Sequence, residues 1–125
     1  MNRLQQEANQ WIMEKHAMDF NKYQETAVET AIYPSTHRIL YPALGMAGEA
    51  GEVANKVKKI IRDGPENMPD DWKDQIAGEI GDVLWYCAAL SNDIGIPLAL
   101  IAAQNRDKLL ARKQKGTLQG SGDTR

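Results

Sequence analysis

The chain has 125 residues, a formal net charge of −2, and a composition that is 42% hydrophobic and 26% charged. This is ordinary for a single soluble globular domain with room for a core, and it lacks the broad basic surface of nucleic-acid binders. A lone cysteine, Cys87, excludes an intramolecular disulfide framework and suits a reducing cytosol; with no signal peptide or membrane-length apolar run in view, a cytoplasmic protein without a membrane partner is expected.

Apolar spacing favours helix almost throughout. Residues 1–17 carry a short amphipathic pattern through Leu4, Ala8, Trp11 and Ile12. Asp19 is an N-cap candidate for a helix running to about Tyr33, where Pro34 stops it. A second helix is expected from about Pro42 to Asp63, with Met46, Ala50, Val53, Val57, Ile60 and Ile61 on its apolar stripe. Gly64-Pro65 and Pro69 break the chain, and Asp70 or Asp71 should cap a third helix reaching Asp93. That helix is expected to bury Ile76, Ile80, Val83, Leu84, Cys87, Leu90 and Ile94, which makes Cys87 a buried, inert thiol. Gly95 ends it, Pro97 opens a fourth helix, and Lys113 to Gly116 close that one. Short connections favour antiparallel neighbours, so the expected fold is all-α, an antiparallel four-helix bundle-like domain. Its wide apolar stripes point to a homodimer or homotetramer. The expected domain plan is an extension at 1–17, a helical domain at 18–115 and a tail at 116–125.

One pattern occurs twice. Residues 48–54 read Gly-Glu-Ala-Gly-Glu-Val-Ala and residues 78–84 read Gly-Glu-Ile-Gly-Asp-Val-Leu. Each copy sets two acids three residues apart, and on a helix such positions lie one above the other. Glu49 with Glu52, and Glu79 with Asp82, therefore form two short carboxylate columns. The midpoint of the two copies falls at Gly64-Pro65. If the helices fold back there, the columns meet at one height, because rise per residue is equal on both arms. Four like charges do not share a site without a cation. A mid-helix glycine costs about 1 kcal/mol relative to alanine, and Gly48, Gly51, Gly78 and Gly81 all carry that cost beside the acids. Solvated surface acids would need no such sacrifice, so a metal site is the better reading.

Neither column holds His or Cys, which disfavours zinc. An all-oxygen set selects a hard cation, magnesium with manganese as substitute. Magnesium commonly joins carboxylates to phosphates, so phosphate chemistry is expected. Residues 106–125 carry six Lys/Arg against two Asp, a local positive charge that favours an anionic ligand. Lys56 continues the first column by one turn, where it can reach a phosphate oxygen or pair with a ligand acid.

The Glu-x-x-Glu … Glu-x-x-Asp signature on paired helices resembles the MazG-like all-α nucleoside triphosphate pyrophosphohydrolases. Relatives of that group include all-α dUTPases, dCTP pyrophosphatases and phosphoribosyl-ATP pyrophosphohydrolases. The resemblance covers about Asp19 to Arg112 and is strongest at residues 45–60 and 78–86. It implies magnesium-dependent cleavage of an NTP or dNTP between the α and β phosphates, giving a monophosphate and pyrophosphate in a nucleotide house-cleaning role. It implies Glu49, Glu52, Glu79 and Asp82 as metal ligands and catalytic acids, in a dimer or a dimer of dimers. Tyr86 falls where dCTP-type members place a substrate-contacting tyrosine, although a plain helix–helix contact explains it equally. Lys108 and Arg112 match the phosphate-gripping Lys-x-x-x-Arg of the last helix; the alternative is cations complementing a helix C-terminus. The sequence departs from the group in residues 1–17, and its base-selecting region, around Tyr33, His37 and Arg38, is unrecognisable. Three alternatives stand beside this reading: phosphoribosyl-ATP hydrolysis, a non-catalytic helical oligomer binding a nucleotide or protein, and a bundle with a purely structural ion.

Overall fold

A computed structural model describes residues 3–13 and 18–125; the side chains of Ile12 and Met13 lie outside the described residues. Five α-helices follow in order: α1 (Arg3–Met13), α2 (Phe20–Thr30), α3 (Leu40–Asp63), α4 (Trp72–Asp93) and α5 (Leu98–Lys115). Single 3₁₀ turns at Ser35–His37 and Pro65–Asn67 interrupt the chain, and no strand occurs among the described residues. The expected all-α fold is what forms, with α1 added as a fifth helix.

Local chemistry accounts for most boundaries. The Asp19 carboxylate accepts the Lys22 N–H at 2.8 Å, an N-cap that satisfies one of the orphan donors at the start of α2. α2 stops at Thr30 rather than Tyr33, since Ala31 is already extended. Gly64, at φ 86°, closes α3, and Gly116 adopts the left-handed conformation that closes α5. Asp71 precedes α4, but its carboxylate takes the Gln75 side-chain amide at 2.8 Å and makes no bond to the helix backbone.

The start of α3 is unusual. Ile39 sits at φ 67° and ψ −57°, and the Leu40 N–H donates to the Arg38 carbonyl at 2.7 Å. This is a γ-turn of the rare positive-φ kind, on a β-branched residue. Such a conformation costs on the order of 1–3 kcal/mol and persists only where its surroundings enforce it.

α3 and α4 form the dominant packed pair, a helical hairpin joined at residues 64–71. α2 lies on α4, and α5 leaves α4 at a bend of 105° to pack against both. The core sits where those three converge, around Ala27, Ala88 and Leu98, with Tyr23, Leu84, Trp85 and Cys87 against it. Two alanines at the centre let α2 and α4 approach closely. Gln24 ties the three helices together. Its amide donates to the Ala88 carbonyl at 3.1 Å and accepts the Leu98 N–H at 3.1 Å.

The predicted stripes are only partly buried. Ile61 is 77% exposed, Ile80 57% and Ile94 46%, and outside those stripes Leu44 is 65% exposed, so much apolar surface on the hairpin is uncovered in one chain. Cys87 is half-buried, and burial pushes its thiol up. Among the described residues, no single helix is long and apolar enough to cross a membrane.

Candidate metal centre

The hairpin does bring the two acidic motifs together. Glu49 on α3 and Glu79 and Asp82 on α4 each present a carboxylate oxygen, and these oxygens lie within 4.8 Å of one another. A set of three hard oxygen donors at that spacing can hold a divalent ion. The Glu49 carboxyl is pushed above its ordinary range, by desolvation first and then by a hydrogen bond with Glu79. The charges of Asp82, Glu79 and Glu52 add to the shift. Without a cation, the neighbouring carboxylates therefore disfavour the charged form of Glu49.

Glu52 stays outside this trio and is exposed. The column reading treats i and i+3 as one face, yet they differ by about 60° around the axis at ~100° per residue. That rotation is enough to turn Glu52 towards solvent, although its charge still acts on Glu49. Lys56 pairs with Glu79 at 3.3 Å, so of its two expected roles the structure displays the pairing with a ligand acid. A cavity of about 180 Å³ opens beyond Lys56, between Lys59, Asp63, Trp72 and Gln75; the acids do not line it.

The four motif glycines do not bring α3 and α4 together. A Cβ built at Gly48, Gly51, Gly78 or Gly81 meets nothing within 4 Å, so the space above them is open. Gly45 behaves differently, because a Cβ there would fall 2.1 Å from the Tyr86 ring. Tyr86 therefore lies flat on the α3 backbone, one turn before Glu49. Gly45→Ala is expected to destabilise the fold by roughly 1–3 kcal/mol, the usual cost of overpacking, and to displace Tyr86. Urea unfolding checks this, and an unchanged midpoint would show that the ring moves freely.

A series of tyrosines leads to the acids, of which sequence reading singled out Tyr33 and Tyr86 but not Tyr23 or Tyr41. Tyr41 lies 6.4 Å from Tyr86, ring to ring, and stacks on Tyr33 at 4.8 Å. Trp85 meets Tyr86 edge-on at 5.0 Å. The Tyr86 hydroxyl is pushed up by burial, by Tyr41, and by the charges of Glu49 and Asp82. Tyr23 on α2 donates a long hydrogen bond of 3.5 Å to the Gly81 carbonyl, and its hydroxyl is pushed up by burial and then by Asp82. Nothing in the local sequence marks Tyr23 or Tyr41, because their role comes from which helix faces which.

Residues 36–117, well over half the chain, match the family model of the MazG nucleotide pyrophosphohydrolase domain. The chain belongs to the MazG nucleotide pyrophosphohydrolase family. It is also similar to the Gene 37 protein of Mycobacterium phage L5, with 43% identity over 114 residues, covering 86% of this chain and 100% of that one. No solved structure matches it significantly.

The MazG match takes in the whole acid trio together with Lys108 and Arg112 of α5. Those cations are engaged elsewhere in the structure. The C-terminal tail folds back so that Asp123 accepts from Lys108 and from Arg112, each at 3.2 Å. Arg112 also donates to the Asp123 and Gly122 carbonyls, and it is 6% exposed. Arg125 fastens the tail by donating to the Thr117 and Leu118 carbonyls and to Gly122. Lys108 and Arg112 together hold the Asp123 carboxyl below its usual range. Among the described residues, no hydrogen bond or ion pair joins them to the acid trio.

Proposed function

We propose that the chain is a magnesium-dependent nucleoside triphosphate pyrophosphohydrolase that converts a (d)NTP and water to (d)NMP and pyrophosphate. The observation that carries this reading is the convergence of Glu49, Glu79 and Asp82 within a MazG domain. When bound, magnesium, or manganese in its stead, supplies Lewis-acid polarisation of phosphate oxygens and makes water more acidic. The trio holds the ion. Glu52, exposed and outside the trio, orients the attacking water and takes its proton. Lys56 is a mobile cation that exchanges Glu79 for a phosphate oxygen, and Tyr86 meets the nucleoside side of the substrate.

Lys108 and Arg112 grip the leaving phosphates, and Asp123 is the carboxylate those phosphates displace. Two cations converging on one acid make a ready anion site, which supports this assignment. Asp123→Ala is therefore expected to lower KM about threefold with kcat unchanged, since it removes a competing anion. An increased KM would mean that the tail assists binding instead.

The open space over the motif glycines and the uncovered apolar surface of the hairpin support a homodimer or homotetramer; on this reading it works in the cytoplasm on free nucleotides and not on nucleic acid. The role is house-cleaning of the nucleotide pool. Pyrophosphate release measured across the eight common (d)NTPs and phosphoribosyl-ATP, with and without magnesium, tests the reading. Turnover that requires magnesium is the expected result. Binding without release would favour a non-catalytic helical oligomer, and turnover of phosphoribosyl-ATP alone would favour the biosynthetic reaction.

A further inference from the structure

Asp93 stands out by its position. It is the last residue of α4, where a negative charge opposes the helix dipole and where no basic residue lies in the final turn. Its Oδ2 accepts two hydrogen bonds from the segment that leads into α3, the Tyr33 hydroxyl at 2.8 Å and the Ile39 N–H at 2.9 Å. Ile39 is the only non-glycine residue with positive φ among the described residues. One carboxylate oxygen thus holds both the strained turn and the aromatic residue that precedes it. From there an aromatic series runs to the metal centre: Tyr33 stacks on Tyr41, Tyr41 faces Tyr86, and Tyr86 lies beside Glu49 and Asp82. Tyr41 is 45% exposed, so part of it remains open to solvent one ring beyond Tyr86.

We propose that Asp93 is a positioning residue for the nucleoside end of the substrate: by clamping Tyr33 and the Ile39 turn, it sets Tyr41 as a stacking face beside the acid trio. The proposal rests on the pyrophosphohydrolase reading for what occupies that face. Aromatic faces accept any base by stacking, and loss of one such contact weakens affinity about tenfold or more. Asp93 does not touch the acids, so it acts on binding of the base through the rings and leaves the phosphates to other groups.

The test compares wild type with Asp93→Ala, Asp93→Asn and Tyr33→Phe. Steady-state pyrophosphate release from a dNTP is measured together with inhibition by tripolyphosphate, which has the phosphates but no base. Asp93→Ala is expected to raise KM about tenfold with kcat within about threefold and the tripolyphosphate Ki unchanged. Asp93→Asn, whose amide oxygen still accepts both bonds, should stay close to wild type. A parallel rise in KM and Ki, or no change in KM, would overturn the proposal. If Asp93→Ala does not fold, Tyr33→Phe carries the test with a smaller rise in KM, and an unchanged KM counts against it. Should the wild type release no pyrophosphate, the enzymatic reading falls on its own. Binding of an α,β-imido nucleotide, followed by tryptophan emission, then decides: weaker binding by Asp93→Ala sustains the clamp, and equal binding or none rejects it.

Discussion

Glu49→Ala and Asp82→Ala should each lower pyrophosphate release by about a thousandfold or more while leaving the protein helical. A bound divalent ion contributes several kcal/mol of charge stabilisation in the transition state, and each 1.36 kcal/mol corresponds to tenfold in rate. Losing one of three carboxylates from the trio removes most of that. Neither residue belongs to the core formed by Ala27, Ala88 and Leu98, so far-UV circular dichroism should be unchanged. Glu52→Ala should differ in kind: metal affinity stays close to wild type while kcat falls, because that acid lies outside the cluster. Retained turnover in Glu49→Ala or Asp82→Ala would end the metal-centre account.

Magnesium should also raise the melting temperature, and more so at about pH 8 than at about pH 5. The sign follows from Glu49, whose folded-state carboxyl is raised above its ordinary 4.5. Between 4.5 and that raised value the folded chain binds more protons than the unfolded one, so stability falls as pH rises through the window. Above the window Glu49 is charged and its neighbouring acids repel it. A divalent ion binds the folded chain alone and offsets that repulsion. At a hundredfold excess over its Kd it adds about 2.7 kcal/mol, or roughly 10 °C for a domain of this size. Glu49→Gln, which removes one charge, should flatten the pH slope and abolish the magnesium response. A magnesium-independent melting temperature at high pH would show that the three carboxylates are merely neighbours.

The architecture was largely readable because helix boundaries are written locally. Asp19 acts through its own side chain, Gly64-Pro65, Gly95-Ile96-Pro97 and Gly116 act through their own backbone, and the doubled motif showed which two helices must face each other. The site was less readable for a geometric reason. A helical wheel gives the face of a residue but not the angle at which two helices cross, so one turn of a column meets its partner and the next turns away. Glu49 met Glu79 and Asp82, and Glu52 did not. The facing contacts Lys56–Glu79 and Met46–Cys87 are centred later than Gly64-Pro65, because the 3₁₀ turn at Pro65–Asn67 lengthens the connection. The Ile39 turn had no sequence signal at all. A β-branched residue argues against positive φ, and the carboxylate that takes the Ile39 N–H, Asp93, lies 54 residues away in sequence. Lys108 and Arg112 were singled out by the family resemblance, but the Asp123 carboxylate between them was not, since a polar Gly-rich tail gives no hint of where it folds back.

Crystals soaked with manganese, the anomalous stand-in for magnesium, test the central assignment most directly. The account predicts an anomalous peak bonded at about 2.1–2.2 Å to oxygens of Glu49, Glu79 and Asp82. A peak that avoids these three carboxylates, or none at saturating metal, would contradict it.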